Sequence, residues 1–208
     1  MGTVPERLIE AATRLFADKG FDRVAVQEVV DLAGVTKGAM YHYFGSKDDL
    51  LHEIYGSLLR MQTERLERFA SGSAPVAERL HAAALDVVVT SVENFDQAKV
   101  YFRSADQLAE TQRLAMRAER RRYHERFRSL IEEGQSNGVF RTDVPADLTV
   151  HFFFGAVHHL GAWYHASGTL SAKQVARHYA DLLLASLRLD PPSPTPDPPS
   201  PTPNPDPL

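Results

Sequence analysis

The chain contains no cysteine. Disulfides, thiol catalysis and thiolate metal sites are therefore excluded. No apolar run approaches the ~20 residues that span a bilayer, so no membrane partner is expected. The first ten residues carry Pro5, Glu6, Arg7 and Glu10 in place of an unbroken apolar stretch, which argues against a secretory signal. The expected location is the cytoplasm. There is no phosphate-cradling glycine loop, no HExxH helix and no kinase motif set. Positive charge is not in excess either: the formal net charge is −4. Bulk charge thus gives no sign of nucleic-acid binding, and any DNA contact has to come from a local arrangement.

What is present reads as helix. The 208 residues are 43% hydrophobic, enough for a small helical unit plus a larger core. Leu8, Ala11, Ala12, Leu15 and Phe16 mark one face of a first helix, with Gly20 just past its end. Val26, Val29, Val30 and Ala33 mark a short second helix, which Gly34 breaks. Thr36 can cap a third helix running to about Tyr43. Ser46 to Asp49 forms a capping box that opens a long helix bearing Leu50, Leu51, Ile54, Leu58, Leu59 and Leu66. A Ser-Gly-Ser-Ala-Pro break follows at 71–75. Further helices are predicted at about 75–93, 95–107, 110–136, 146–166 and 172–189. The expected fold is all-α, with about nine helices. A head at 1–55 and a body at 71–190 are joined by the long helix from about 46 to 70.

Helix two, the tight turn at Gly34 and helix three make a helix-turn-helix pattern. Helix three would offer the backbone N–H groups of Thr36, Lys37 and Gly38 to a phosphate. Val35, Met40 and Phe44 can pack it inward, which leaves Tyr41, His42 and Tyr43 partly outward, within reach of phosphates or base edges. A glycine-broken helix pair also serves plain packing. Residues 1–60 carry more acids than bases, so DNA binding requires Arg23, Lys37 and Lys47 to share a face that the acids avoid.

The run from Val35 to Leu51, Val-Thr-Lys-Gly-Ala-Met-Tyr-His-Tyr-Phe-Gly-Ser-Lys-Asp-Asp-Leu-Leu, resembles the signature of the TetR family of bacterial repressors. Ala11-Ala-Thr-Arg-Leu-Phe-Ala-Asp-Lys-Gly-Phe21 resembles the family's first helix. The resemblance implies a homodimer that binds a double-stranded DNA operator through Gln27, Thr36, Lys37, Gly38, Tyr41, His42 and Lys47. It implies a regulator rather than an enzyme, and no convergent acid, base or nucleophile set is found. An activator or a global DNA binder of the same fold is the alternative. One departure stands out. The family places a threonine or serine at the cap of helix two, where this chain has Val24 and Ala25; a missing hydroxyl cap costs about 1 kcal/mol.

For the body, the resemblance implies dimerisation through the last two long helices. Phe152, Phe153, Phe154, Val157, Leu160 and Trp163 wrap most of one helix, and Leu182, Leu183, Leu184 and Leu187 lie on the other. A monomeric core has the same pattern. Candidate pocket residues are Leu85, Val89, Phe102, Met116, Tyr123, Phe127, Phe154, His158 and Trp163. Arg120 belongs to the most basic stretch, Arg117 to Arg122 with Arg126 and Arg128. Such a run serves as a solvated face, or as an anion site at a pocket mouth. The C-terminal half, from Val100-Tyr-Phe-Arg through Ala162-Trp-Tyr to the last helix, is similar to the acyl-coenzyme A-sensing branch of the family. An acyl-coenzyme A or another lipophilic effector is the implied partner, with no cofactor and no metal.

Three further signals are set aside. Gly134-Gln-Ser-Asn-Gly138 matches the nucleophile-elbow pattern, but it lacks the strand that must precede it and reads as a helix end. His151, His158 and His165 recur every seven residues, a rise of about 10 Å, too far for neighbouring pairs to grip one ion readily. From Pro191 onward the chain is a proline-rich near-repeat, which reads as an extended, mobile segment.

Overall fold

The computed structural model describes residues 2–189, with the side chains of Tyr101, Phe102 and Ala105 set apart. The proline-rich tail lies outside the described residues. Within them the chain forms ten α-helical segments and no strand. These are α1 Val4–Lys19, α2 Val26–Ala33, α3 Lys37–Tyr43, α4 Lys47–Ala70, α5 Val76–Glu93, α6 Phe95–Ser104, α7 Glu110–Ser136, α8 Ala146–His158, α9 Leu160–Trp163 and α10 Ala172–Ser186. A 3-10 turn at Ala105–Gln107 joins α6 to α7. No helix among the described residues is long and apolar enough to cross a membrane.

Local chemistry sets most of these boundaries. Thr3 accepts from the Glu6 N–H while the Glu6 carboxylate accepts from the Thr3 N–H, closing a capping box on α1. Gly34 ends α2 at φ +64°, a conformation that costs glycine nothing. The Val35 N–H then reaches back to the Val30 carbonyl at 3.0 Å, satisfying an end that would otherwise be orphaned. Ser46 caps α4 through the Asp49 N–H at 2.9 Å. A second capping box, Ser171 with Gln174, opens α10.

The helix predicted over 146–166 is not continuous. It breaks at His159, and α9 resumes for one turn. Gly155 and Gly161 flank the break, and each lowers helix stability by up to about 1 kcal/mol relative to alanine. The break lets Leu160 and Tyr164 turn inward, and Tyr164 packs on Phe95 with centroids 5.9 Å apart. His165 consequently leaves the helix, and the seven-residue histidine series ends at His158.

One hydrophobic core runs through the molecule. The long α4 packs against α1 on one side and α5, α6 and α7 on the other, so both parts of the chain share it. The end of α7 is tightly fitted. A Cβ on Gly134 would stand 2.1 Å from Cδ2 of Phe140, so the ring occupies the place of a side chain. This packing accounts for the first glycine of the elbow-like match, and the sequence there is the end of α7.

Candidate DNA interface and ligand cavity

Helix α3 separates its residues sharply. Met40 has no exposed surface and anchors the helix, with buried Phe44 just beyond its end. Thr36, Lys37, Gly38, Tyr41, His42 and Tyr43 are all exposed. No acidic residue lies on α3. Thr36 caps it, accepting from the Ala39 N–H at 3.1 Å. Lys37 has no ion-pair partner among the described residues. A Cβ on Gly38 would meet only the Thr36 Oγ1, at 3.8 Å, an ordinary contact. The fold itself therefore leaves room for a side chain at Gly38.

Several of the head's acids are occupied elsewhere. Glu6 caps α1, and Asp31 accepts from exposed Gln27 at 2.7 Å. Glu53 pairs with Arg60. Ala25 gives α2 no side-chain cap, but Glu28 accepts from the Ala25 N–H at 3.0 Å and pairs with Lys19. Lys19 and that backbone bond hold the Glu28 carboxyl below the usual carboxylate range. Half of a capping box thus survives at a helix that lacks its hydroxyl.

Lys47 is placed differently from Lys37. Its ammonium donates to the Phe21 and Val24 carbonyls at 3.0 and 3.1 Å and lies 4.2 Å over the Phe21 ring. It holds the α1–α2 loop against the start of α4. Two amides tie this same region to the body. Gln107 donates to Asp22 at 2.7 Å, and Gln112, on the first turn of α7, donates to Asp49 at 2.6 Å.

In the body, a small cavity of about 30 Å³ lies among α4, α5, α6, α7 and α8. It brings together Arg120, Tyr123, Phe154 and His158 from the sequence-derived set. It adds Tyr55, Leu58, Leu59 and Gln62 of α4, Ser91 and Ala98, and His124. The α4 wall was missed by the sequence reading. Gln62, a polar residue on the stripe of Leu58, Leu59 and Leu66, was the available signal; it donates to the buried Thr90 hydroxyl at 2.8 Å. Met116 and Phe127 are fully buried in the core, and Leu85 and Val89 pack half-buried on α5, none of them against this cavity. Trp163 is turned to the surface on α9 by the break at His159. The side chain of Phe102 lies outside the described residues.

Aromatic stacking crosses the cavity. His124 stacks on Phe154 at 4.1 Å, and the His158 ring lies 6.2 Å from His124 and 6.1 Å from Phe154. Burial, His158 and Arg120 push the His124 imidazole down to about 4, so the ring is neutral at ordinary pH. Desolvation and Arg120 depress His158 as well. Burial, with the Asp86 charge, raises the Tyr123 phenol, which stays protonated. Next to the cavity, a groove of about 430 Å³ runs along α7, lined by Arg117, Arg120, Arg121, His124 and Arg128, with Asp147 and His151 facing from α8. Arg121 and Arg128 have carboxylate partners. Arg117 and Arg120 have none among the described residues.

An anchored, outward-facing recognition helix on a three-helix head, carried by a helical body, defines a helix-turn-helix DNA-binding regulator. Family models agree. The one describing bacterial regulatory proteins of the tetR family matches residues 8–54, and a tetracyclin repressor-like C-terminal domain matches residues 73–187. The chain belongs to the TetR family. Among its relatives, the HTH-type transcriptional repressor KstR2 of Mycobacterium tuberculosis is 26% identical over 181 residues, covering 86% of this chain and 90% of KstR2. The TetR-family regulator PfmR from Thermus thermophilus superposes with a TM-score of 0.79 at 29% identity, over 88% of this chain and all of PfmR. AibR, solved with isovaleryl coenzyme A and operator DNA, shares the fold at a TM-score of 0.76 and 21% identity, over 88% of this chain and 98% of AibR.

Proposed function

We propose that this chain is a homodimeric repressor that a coenzyme A thioester releases from a near-palindromic operator. The observation that carries the DNA reading is the outward row on α3. Lys37, Gly38, Tyr41 and His42 have no part in the core, and the space beside Gly38 is open. A missing Cβ that the fold does not require suits close approach of a DNA backbone. Thr36 caps this helix, exposed Gln27 stands on α2, and Lys47 fixes the α1–α2 loop. The head at 1–55 would do the reading, and the body at 71–190 would bind ligand and pair the subunits.

The dimer reading rests on exposed apolar surface. Leu148 and Phe152 on α8 and Leu182 on α10 are 59%, 67% and 66% exposed, the most exposed large apolar side chains among the described residues. Gly155 and Gly161 have nothing near a Cβ position, so a second copy can approach closely. For operator binding, pairing along α8 and α10 must set the two α3 helices about one DNA turn apart.

The ligand reading rests on the arginines of α7 beside an aromatic cavity. Guanidinium forks suit phosphates, and aromatic walls suit an acyl group. AibR is a neighbour bound to such a thioester. Gln112 stands on the same helix as Arg117 and Arg120 and bonds Asp49 at the start of α4. Movement of α7 on binding would pull on α4 and change the spacing of the heads. Selection of bound genomic fragments by the purified protein tests the DNA reading, with Gly38→Ala as the control. Wild type is expected to enrich a palindrome. Gly38→Ala is expected to keep its thermal stability and lose about tenfold in affinity for that palindrome, the ~1–3 kcal/mol scale of one disturbed contact. Enrichment of no sequence, or an unaffected variant, would count against it.

A further inference from the structure

The cavity has a second outlet. It shares Arg120 and His124 with the α7 groove. On its other side it shares Ser91, Ala98, Val157 and His158 with an opening of about 520 Å³ between the end of α5, α6 and the break after α8. The three spaces therefore lie in a row through the body. His124 lies on the wall shared with the groove and His158 on the wall shared with the opening, and with Phe154 stacked on His124 these rings form the septum between the two outer spaces.

The far opening is charged. Lys99 and Arg103 stand four residues apart on one face of α6 and both line it, with Asp96 at the same wall. Neither cation has an ion-pair partner among the described residues. Two cations against one carboxylate leave the opening net positive. Phe95, Ala98, Val157 and Gly161 supply its apolar part, which is the larger share of its wall. A pocket for a methyl-ended chain would close on apolar side chains, because a hydrocarbon end left in a wet, charged opening gains nothing from burial. Here the apolar wall leads out to a rim that carries exposed Lys99 and Arg103, which also border a surface groove with Arg14 and Asp18.

We infer that the body takes an elongated ligand that is anionic at both ends: a coenzyme A thioester whose acyl chain terminates in a carboxylate. The inference rests on the thioester reading above and adds the distal group. The nucleotide phosphates sit on the arginines of α7, where the cations are more numerous and bidentate. The acyl chain crosses the septum once the His124 and Phe154 rings swing aside. Its carboxylate meets Lys99 and Arg103.

Calorimetric titration of the full chain tests this with two probes matched in length, suberyl-coenzyme A and octanoyl-coenzyme A, and with longer matched pairs. The carboxylate-ended thioester is expected to bind about tenfold tighter, the scale of one charge-assisted contact. The double variant Lys99→Met with Arg103→Met should bring that ratio close to one, and Lys99→Arg should retain it. Arg120→Met should weaken both members of a pair together. Equal affinity within every matched pair, or a preference that survives the double variant, overturns the inference and leaves the thioester reading standing. Binding of neither member overturns both.

Discussion

Two lysines of the head, Lys37 and Lys47, are ten residues apart and have opposite surroundings. Lys47 is spent inside the protein, on two carbonyls and an aromatic ring. Lys37 stands exposed on a helix without acids. The body repeats the contrast along α7. Arg121, Arg126 and Arg128 pair with carboxylates of the protein, while Arg117 and Arg120 face the groove without one among the described residues. In both regions, charge held by internal partners maintains the frame. Charge without them is available to a ligand at no cost of breaking an existing bond.

The largest expected effect lies wholly on the frame side. Gly134→Ala should destabilise the body by about 3 kcal/mol, because Phe140 fills the space that the new methyl needs. Chemical denaturation would show it, and an unchanged midpoint would mean that α7 ends more loosely than described. The lysine pair comes next. Lys47→Ala should cost about 1–2 kcal/mol of stability through its lost carbonyl bonds. Lys37→Ala should leave the melting temperature alone and lower the salt slope of operator binding by about one. A stability loss in Lys37→Ala, or none in Lys47→Ala, would break the comparison. The smallest effect is a gain. Ala25→Ser should restore the cap of α2 and stabilise the head by about 0.5–1 kcal/mol. The benefit is limited because Glu28 already closes half of the box.

What the sequence makes legible follows from range. The end of α1 at Gly20, the end of α2 at Gly34 and the starts of α3 and α4 at Thr36 and Ser46 depend on partners within five residues, and these could be read directly. The inward use of Lys47 depends on carbonyls of Phe21 and Val24, more than twenty residues away, and nothing local announces it. The cavity shows the same limit. Arg120, Tyr123, Phe154 and His158 were visible as a basic and aromatic set, but the α4 wall appears only when α4 packs beside α7. The outward turn of Trp163 required the break at His159, which the uninterrupted apolar pattern of 146–166 concealed.

The most direct test is an anisotropy titration of a labelled duplex from the region upstream of this chain's own gene, at two salt concentrations, followed by addition of a coenzyme A thioester. Binding is expected to be specific over a scrambled duplex, to weaken with salt and to be released by the thioester. Failure to prefer that duplex, or any other enriched from the genome, even at low salt, would contradict the central claim.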